Sequence, residues 1–504
     1  MEQTTFLDYL SNEHVAQQLC KEAGKYAFRP KHNHIASQLM ALMPPKKFWG
    51  ITPQDRYNHQ AQQRIWKRVT HMVIRHVKHQ SSYAYVSNIL QFAAQLRSMV
   101  ADPTFGFTQP TIKALIKDAN ASPVVCRPIC TYHHIDEKVL IALMANYLKQ
   151  WIDPTFHENS LAYRAPREWM GERKVTSNKD AIRLILQWRK AHEQQNIYVA
   201  ECDICKFFDT LDHQRVKNAL RHTMNRIGKV DQDLLRLFDG FVDSFDFARD
   251  VYAKNDDPSF WDEVFGTDRK QEFCFQWIPN PPDRPVGLPQ GAALSPLIAN
   301  LVLNEIDEQT LGEKMLNGQI VDQDLLYIRY CDDIVLMHTC AEACTRLINR
   351  YQQVLQEYNL SYHPFKQVGD MKDGNALLHT DKNYPYWDDA KSKAPYRWGE
   401  GRGNAVRWIG FLGYEISRDG QVRIRKSSVA AQAQRLCQQA SRIRYAKGQY
   451  RETLMNRFVS KEVGGSKLDG IVAEPQTMEQ YQYQRKRLEQ LKARFVRKIN
   501  GRDA

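Results

Sequence analysis

Apolar positions recur at three- and four-residue spacing through the first 110 residues, where HQAQQRIWKRVTHMVIRHVKH and YVSNILQFAAQLRSMV read as helices. From 111 to 200 the pattern mixes. VLIALMANYLKQWI has the length and density of a buried helix, whereas NIYVAECDI reads as a strand. Strands and helices alternate from about 201 to 416, with two polar, irregular stretches near 228–284 and 368–405 that read as insertions or long loops. After Ser417 the chain reads as helical, Gln-rich and basic, broken at VGGSKLDG. No internal repeat is evident. The class is α+β.

A chain of 504 residues exceeds one compact core, so about three domains are expected. An apolar fraction of 43% with 11% aromatics is that of a folded protein rather than a disordered one. No apolar run is long enough for a membrane span, and the start MEQTTFLDYLSNEH lacks a basic region and apolar core, so a soluble cytoplasmic protein without a membrane partner is expected. The ten cysteines are too sparse for a disulfide scaffold. Cys126, Cys130, His133 and His134, and the pair Cys202 and Cys205, invite a zinc reading, but the second pair has no partner at zinc-ribbon spacing. The net charge of +13 points to a polyanion. Basic clusters with aromatics, such as PPKKFWG from Pro44, RHVKH from Arg75 and YQYQRKRLEQLKARFVRK from Tyr481, favour nucleic acid over a membrane surface.

Chemistry concentrates in three places. In YIRYCDDIVLMH, Asp332 and Asp333 lie between two β-branched and aromatic runs, at the turn of an expected hairpin. Adjacent carboxylates repel, so this stretch alone is equally a solvated turn or a cation site. The strand NIYVAECDI delivers a third carboxylate, Asp203, into CDICKFFDTLDH. Three such groups are what a two-metal phosphoryl-transfer centre uses to activate a hydroxyl and stabilise a leaving pyrophosphate. Between them lies VGLPQGAALSPLIANLVLNEID, a loop running into a helix. Gly287 and Gly291 allow close backbone approach to a base or sugar, and Gln290 offers a two-sided amide.

The order DICKFFDTLDH, GLPQGAALSPLIANLVLNEID, RYCDDIVLM, Lys366 after LSYHPF, then WIGFLGYEI resembles the palm motifs of reverse transcriptases, most closely those of the bacterial group II intron-like branch. CRPICTYHHIDEKVLIALM and FHENSLAYRAPREW resemble that branch's fingers motifs, the second departing from the usual Phe-Arg-Pro-Gly form. The resemblance spans about 120–417. It implies a right-hand polymerase: a helical extension over 1–110, fingers over 111–200, a palm with an antiparallel sheet over 201–416, and a helical basic thumb over 417–504. It implies two magnesium ions, replaceable by manganese, on Asp203, Asp332, Asp333 and the carbonyl of Ile204. Phe208 matches the aromatic that blocks a 2′ hydroxyl, and Gln290, Gly287 and Gly291 would line the nascent pair, template and primer. Arg127 and then Arg164 would bind the triphosphate, since guanidinium forks suit phosphate oxygens. Lys366 would neutralise or protonate pyrophosphate, and Phe411, Leu412 and Gly413 would grip the primer, although FLG equally suits a buried strand.

Only about 87 residues follow Ser417, which leaves no room for an intron mobility module, and the retron-like NALLH at Asn375 follows the YCDD hairpin rather than preceding the PQG loop. The likeness is therefore greatest to the unknown-group and abortive-infection reverse transcriptases. It implies RNA-directed DNA synthesis from dNTPs in antiphage defence, an RNA template with a noncoding RNA partner, a DNA product, and for some members homo-oligomers or protein priming. Tyr481 and Tyr483 are candidate priming hydroxyls or simply tyrosines packed on helices. Three alternatives stay open: an intron-like or retron-type mobility enzyme, an RNA-directed RNA polymerase, and a polymerase-derived RNA-binding scaffold.

Overall fold

The computed structural model describes all residues except 1–4, 30–33, 53, 54, 56, 57, 120, 277–283, 368–389, 400–404, 461–477 and 502–504. NALLH at Asn375, the break VGGSKLDG, and most of the stretch 368–405 therefore lie outside the described residues. The chain forms two compact units, each gathering segments distant in sequence.

The first unit comprises Met1–Phe156, Cys205–Ile306 and Glu357–Ser361. Its N-terminal part is helical: Asn12–Gly24 packs against His59–Lys78, Ala84–Ala101 and Ile135–Ile152. The core is fixed by spacing. Ile65, Val69, Val73 and Val77 are buried along one side of His59–Lys78, and Val15 and Leu19 are buried on the facing helix. A three-stranded sheet follows, with Val124–Thr131 between antiparallel Thr111–Asp118 and parallel Phe273–Phe275. Cys126 and Cys130 sit in its apolar cluster beside Phe245, Trp261 and Phe275. Burial pushes their thiols up to about 11 and about 12, so they behave as small hydrophobes rather than ligating thiolates.

The stretch 228–284 departs from the irregular loop expected. Gln232–Asp243 and Pro258–Phe265 are helices capped by Asp231 and Asp257. The first buries Leu234, Leu237, Phe238 and Phe241. Those positions keep helical spacing, and the acidic residues between them gave the segment its polar look.

The second unit comprises His157–Ile204, Asp307–Gln356 and Tyr362–Ala504. Its centre is a six-stranded sheet in the order Phe365–Lys366, Ser392–Trp398, Ile197–Asp203, Asp333–His338, Leu325–Tyr330, with Ala405–Val406 pairing to Ser392–Trp398. The three strands around Ile197–Asp203 are antiparallel, and the two short strands pair with Ser392–Trp398 in parallel. Val199, Ile328, Val335, Met337 and Tyr396 bury one face of it. Ser392–Trp398 falls inside the stretch expected to be an insertion, yet it is the strand directly beside Ile197–Asp203. A smaller sheet joins Trp408–Phe411, Tyr414–Ser417 and Val422–Ile424. Among the described residues, three helices follow, Lys426–Tyr445, Gly448–Ser460 and Glu479–Asn500, around Leu436, Ile443, Phe458 and Leu488.

Candidate active site

Leu325–Tyr330 and Asp333–His338 form the hairpin expected from YIRYCDDIVLMH, with Tyr330 opposite Asp333. Only Cys331 and Asp332 remain for the turn, and Cys331 takes the left-handed conformation at φ 60°. The other neighbour of the Asp333 strand is Ile197–Asp203, and its register sets Asp333 directly opposite Asp203. Residues so paired have Cβ atoms about 5 Å apart on one face of the sheet, so two carboxylates meet at the end of the strands with the third one residue away. Partial burial pushes Asp333 up to about 7, repulsion from Asp332, Asp203 and Glu201 adds to it, and Arg425 opposes it. Asp333 itself is exposed at the end of its strand.

Several residues at this centre gave no signal in the sequence. Lys391 Nζ and His363 Nε2 each lie 3.6 Å from Asp203 Oδ2, and they lie 3.2 Å from one another. They come from either side of residues 368–389, so only the fold shows them together. Behind Asp333, Glu201 is buried, holding Lys393 in an ion pair and accepting from Tyr396 Oη at 2.7 Å. Arg329, two residues before Cys331, is fully buried against Asp307, Nε to Oδ2 at 2.7 Å, and Tyr327 Oη donates to the other oxygen at 2.6 Å. This triad pins the hairpin strand to the helix carrying Asp307. Its sequence signal was the alternation in LYIRY, which puts Tyr327 and Arg329 on the same side.

In the first unit, FFDTLDH grips the GLPQG loop along its length. Leu288 N donates to Phe208 O, Gly287 N to Leu211 O, and His213 Nε2 meets Gly287 O, at 2.7, 2.8 and 2.9 Å. Gln290 is held twice: Nε2 donates to Asp209 Oδ1 at 2.6 Å, and its carbonyl accepts from Cys130 N at 2.7 Å. Asp209 is buried, which pushes its carboxyl up to about 6 against the pull of Lys206, Gln290, Lys117 and Arg127. Phe208 is half-buried, its ring edge-on to Phe207 at 5.5 Å.

Two of the expected site residues are engaged within the protein. Gly287 is buried, and a Cβ there would meet Phe247 Cβ at 2.9 Å and Asp209 O at 3.2 Å. Its φ of 96° and lack of side chain let the loop pack closely within the protein. Gly291 is exposed, though a Cβ would also crowd Cys130 O at 3.1 Å. Arg164, offered as a triphosphate ligand, is buried and donates to the carbonyls of His157 and Ser160 at 2.9 and 2.8 Å. It braces its own loop. Arg127, by contrast, is exposed on Val124–Thr131. Lys366 is exposed on its strand and forms no ion pair with the three carboxylates, the place beside Asp203 being taken by Lys391.

Phe411, Leu412 and Gly413 belong to a hairpin. Phe411 pairs with Tyr414, and Leu412 and Gly413 turn with φ of 51° and 84°, the twist a two-residue hairpin requires. Tyr481 is fully buried in the core around Tyr414 and Met478, which removes its hydroxyl as a priming group, whereas Tyr483 is exposed.

Residues 271–416 match the family model described as Reverse transcriptase (RNA-dependent DNA polymerase). The chain carries a reverse transcriptase domain and is an RNA-directed DNA polymerase, a nucleotidyltransferase. The matched segment contains Gln290, Asp332 and Asp333; Asp203 joins them through its register. Among solved structures, telomerase from Candida albicans in complex with a TWJ fragment of telomeric RNA is 11% identical with a TM-score of 0.37, over 94% of this chain and 77% of that one. Apo telomerase from Candida tropicalis is likewise 11% identical at a TM-score of 0.37, over 97% and 78%. No curated protein matches the sequence.

Reverse transcriptase domains use divalent metal ions. Among the described residues no three His, Cys, Asp or Glu side chains converge on one point as they stand, and Asp203 leans instead towards Lys391 and His363. The donors nonetheless suit such an ion. They are hard carboxylate oxygens, two of them on directly paired residues. The repulsion that raises Asp333 is what a bound cation relieves. Among the described residues, no helix is long and apolar enough to cross a membrane.

Proposed function

We propose that the chain is a right-hand polymerase that copies an RNA template into DNA, with Asp203, Asp332 and Asp333 as its catalytic carboxylates. The observation that carries the reading is the register opposing Asp203 to Asp333 in a chain whose residues 271–416 match the reverse transcriptase family. In this reading the three carboxylates and the carbonyl of Ile204 hold two magnesium ions, or manganese in their place. Bound there, such ions would supply activation of a primer hydroxyl and charge neutralisation for the leaving pyrophosphate. The chain's own groups position and select. Arg127 draws the triphosphate, Phe208 fills the space a ribonucleotide's 2′ hydroxyl needs, and Gln290, its amide fixed by Asp209, meets the nascent pair. Lys391 and His363 beside Asp203 are better placed than Lys366 to meet phosphate charge.

The layout proposed is a helical extension over 1–110, fingers over 111–200, a palm over 201–416 and a thumb over 417–504. The motif order further supports a bacterial enzyme of the defence-associated branch, acting in the cytoplasm with a noncoding RNA; some members of that branch form homo-oligomers. Purification from the encoding cell with bound nucleic acid, addition of magnesium and labelled dNTPs, and sequencing of RNA and product tests this. DNA complementary to the bound RNA, absent with Asp332→Asn, supports it. Bound RNA with no product from dNTPs or rNTPs would make the chain a binding scaffold.

A further inference from the structure

From Arg56 to Ala101 the chain contains no Asp or Glu, against Lys or Arg at 56, 64, 67, 68, 75, 78 and 97. His59–Lys78 occupies the middle of this stretch. At about 100° per residue, Arg64, Lys67, Arg68, His71, Arg75 and Lys78 fall on one side, within an arc of about 100°. Each is exposed, while Ile65, Val69, Val73 and Val77 are buried on the opposite side. From Arg64 to Lys78 the stripe runs about 21 Å at 1.5 Å per residue. Lys67, Arg75 and Lys78 form no salt bridge with any described residue, and at the helix start Asp55 draws on Arg64 and Arg68.

An aromatic ring stands at each end. Arg68 donates to Trp49 O at 3.0 Å, which brings the turn Lys46–Trp49 alongside, where Phe48 is 53% exposed under the Lys47 ammonium. At the far end Tyr83, 47% exposed, stacks at 4.8 Å on His76, which at about 100° per residue lies on the flank of the helix, beside the charged arc rather than within it. A track of cations spaced for phosphates and flanked by exposed rings is how single-stranded nucleic acid is held, backbone on the charge and bases on the rings. A membrane surface fits poorly, because the helix's apolar side is already in the protein core.

We infer that this face of His59–Lys78, with Phe48 and Tyr83, is a second nucleic-acid site, which takes a single-stranded segment of RNA without regard to its sequence. The inference deepens the proposed function and rests on its reading of RNA as the partner. A charged stripe of this kind holds RNA through counterion release, so its signature is a salt slope. The test measures binding of a fluorescein-labelled single-stranded RNA of mixed sequence to the full chain across about 50 to 200 mM KCl. Removing three phosphate contacts in K67Q/R75Q/K78Q should flatten the slope of log K against log salt by about 2. Tyr83→Leu should weaken binding about 5- to 100-fold and leave the slope alone. The conservative K67R/K78R variant should keep the slope, which separates lost charge from lost fold. An unchanged slope in the triple variant overturns the site, as does a stripe that captures phosphatidylserine vesicles or an acidic peptide but no RNA. Extension of an annealed primer on RNA is run in parallel. A wild type that extends primer, with an unaffected triple-variant slope, sinks the stripe alone; one that binds through the stripe but extends nothing sinks the polymerase reading alone.

Discussion

Asp209→Asn isolates the cost of keeping a carboxylate buried beneath the PQG loop. The group is 7% exposed, and burial carries its pKa from 3.8 to about 6 even with Lys206, Lys117 and Arg127 nearby. The raised value means that, between about pH 4 and 6, the folded chain keeps a proton that the unfolded chain releases. The carboxylate is therefore least costly in acid, and its cost grows through that window and then levels off. A shift of about 2 pKa units at 1.36 kcal/mol each makes the plateau about 3 kcal/mol. Asparagine keeps an oxygen to accept from Gln290 Nε2 and has nothing to ionise. Urea unfolding of both proteins, followed by tryptophan fluorescence from about pH 4 to 8, should show the variant gaining about 3 kcal/mol on the wild type as pH rises to about 6.5, and nothing further above. A stability difference independent of pH would refute the reasoning. A step of the opposite sign would mean that the three cations outweigh burial and hold Asp209 ionised.

Arg329→Met strands the fully buried Asp307 and should cost about 3–5 kcal/mol in urea unfolding, whereas Arg329→Met with Asp307→Leu should recover most of it; a single-variant loss below about 1 kcal/mol contradicts a structural triad. Gly287→Ala puts a methyl 2.9 Å from Phe247 Cβ at a φ of 96°, and should lower stability by about 2 kcal/mol or more on thermal unfolding. Phe208→Ala should raise incorporation of rNTPs relative to dNTPs in single-nucleotide extension, and an unchanged ratio removes Phe208 from sugar selection.

The hairpin around Asp332 and Asp333 was legible because β-branched runs and a two-residue gap leave one way to fold it. The N-terminal helices were legible from period alone. The register of Asp203 on Asp333 was not, because strands about 130 residues apart in sequence are matched by packing rather than by local pattern. Gly287 shows a related limit: a glycine reports that something comes close without saying whether it is ligand or protein. Arg164 and Arg127 look alike in sequence, and only burial separates a loop brace from a free guanidinium. Lys391 and His363 carry no motif at all, and meet at Asp203 because Ser392–Trp398 joins the sheet beside it. The two units each gather segments from several parts of the chain, an arrangement set by packing rather than by local pattern.

The central claim is that Asp203, Asp332 and Asp333 together drive RNA-templated DNA synthesis. The most direct measurement is extension of a DNA primer annealed to RNA, with dNTPs and magnesium, by the wild type and by Asp203→Asn, Asp332→Asn and Asp333→Asn, each shown to be folded by circular dichroism. The account predicts extension by the wild type that stops on chelation of magnesium and falls at least about a thousandfold in every variant, in line with loss of a group that stabilises transition-state charge. Extension that survives any one of the three substitutions would contradict it.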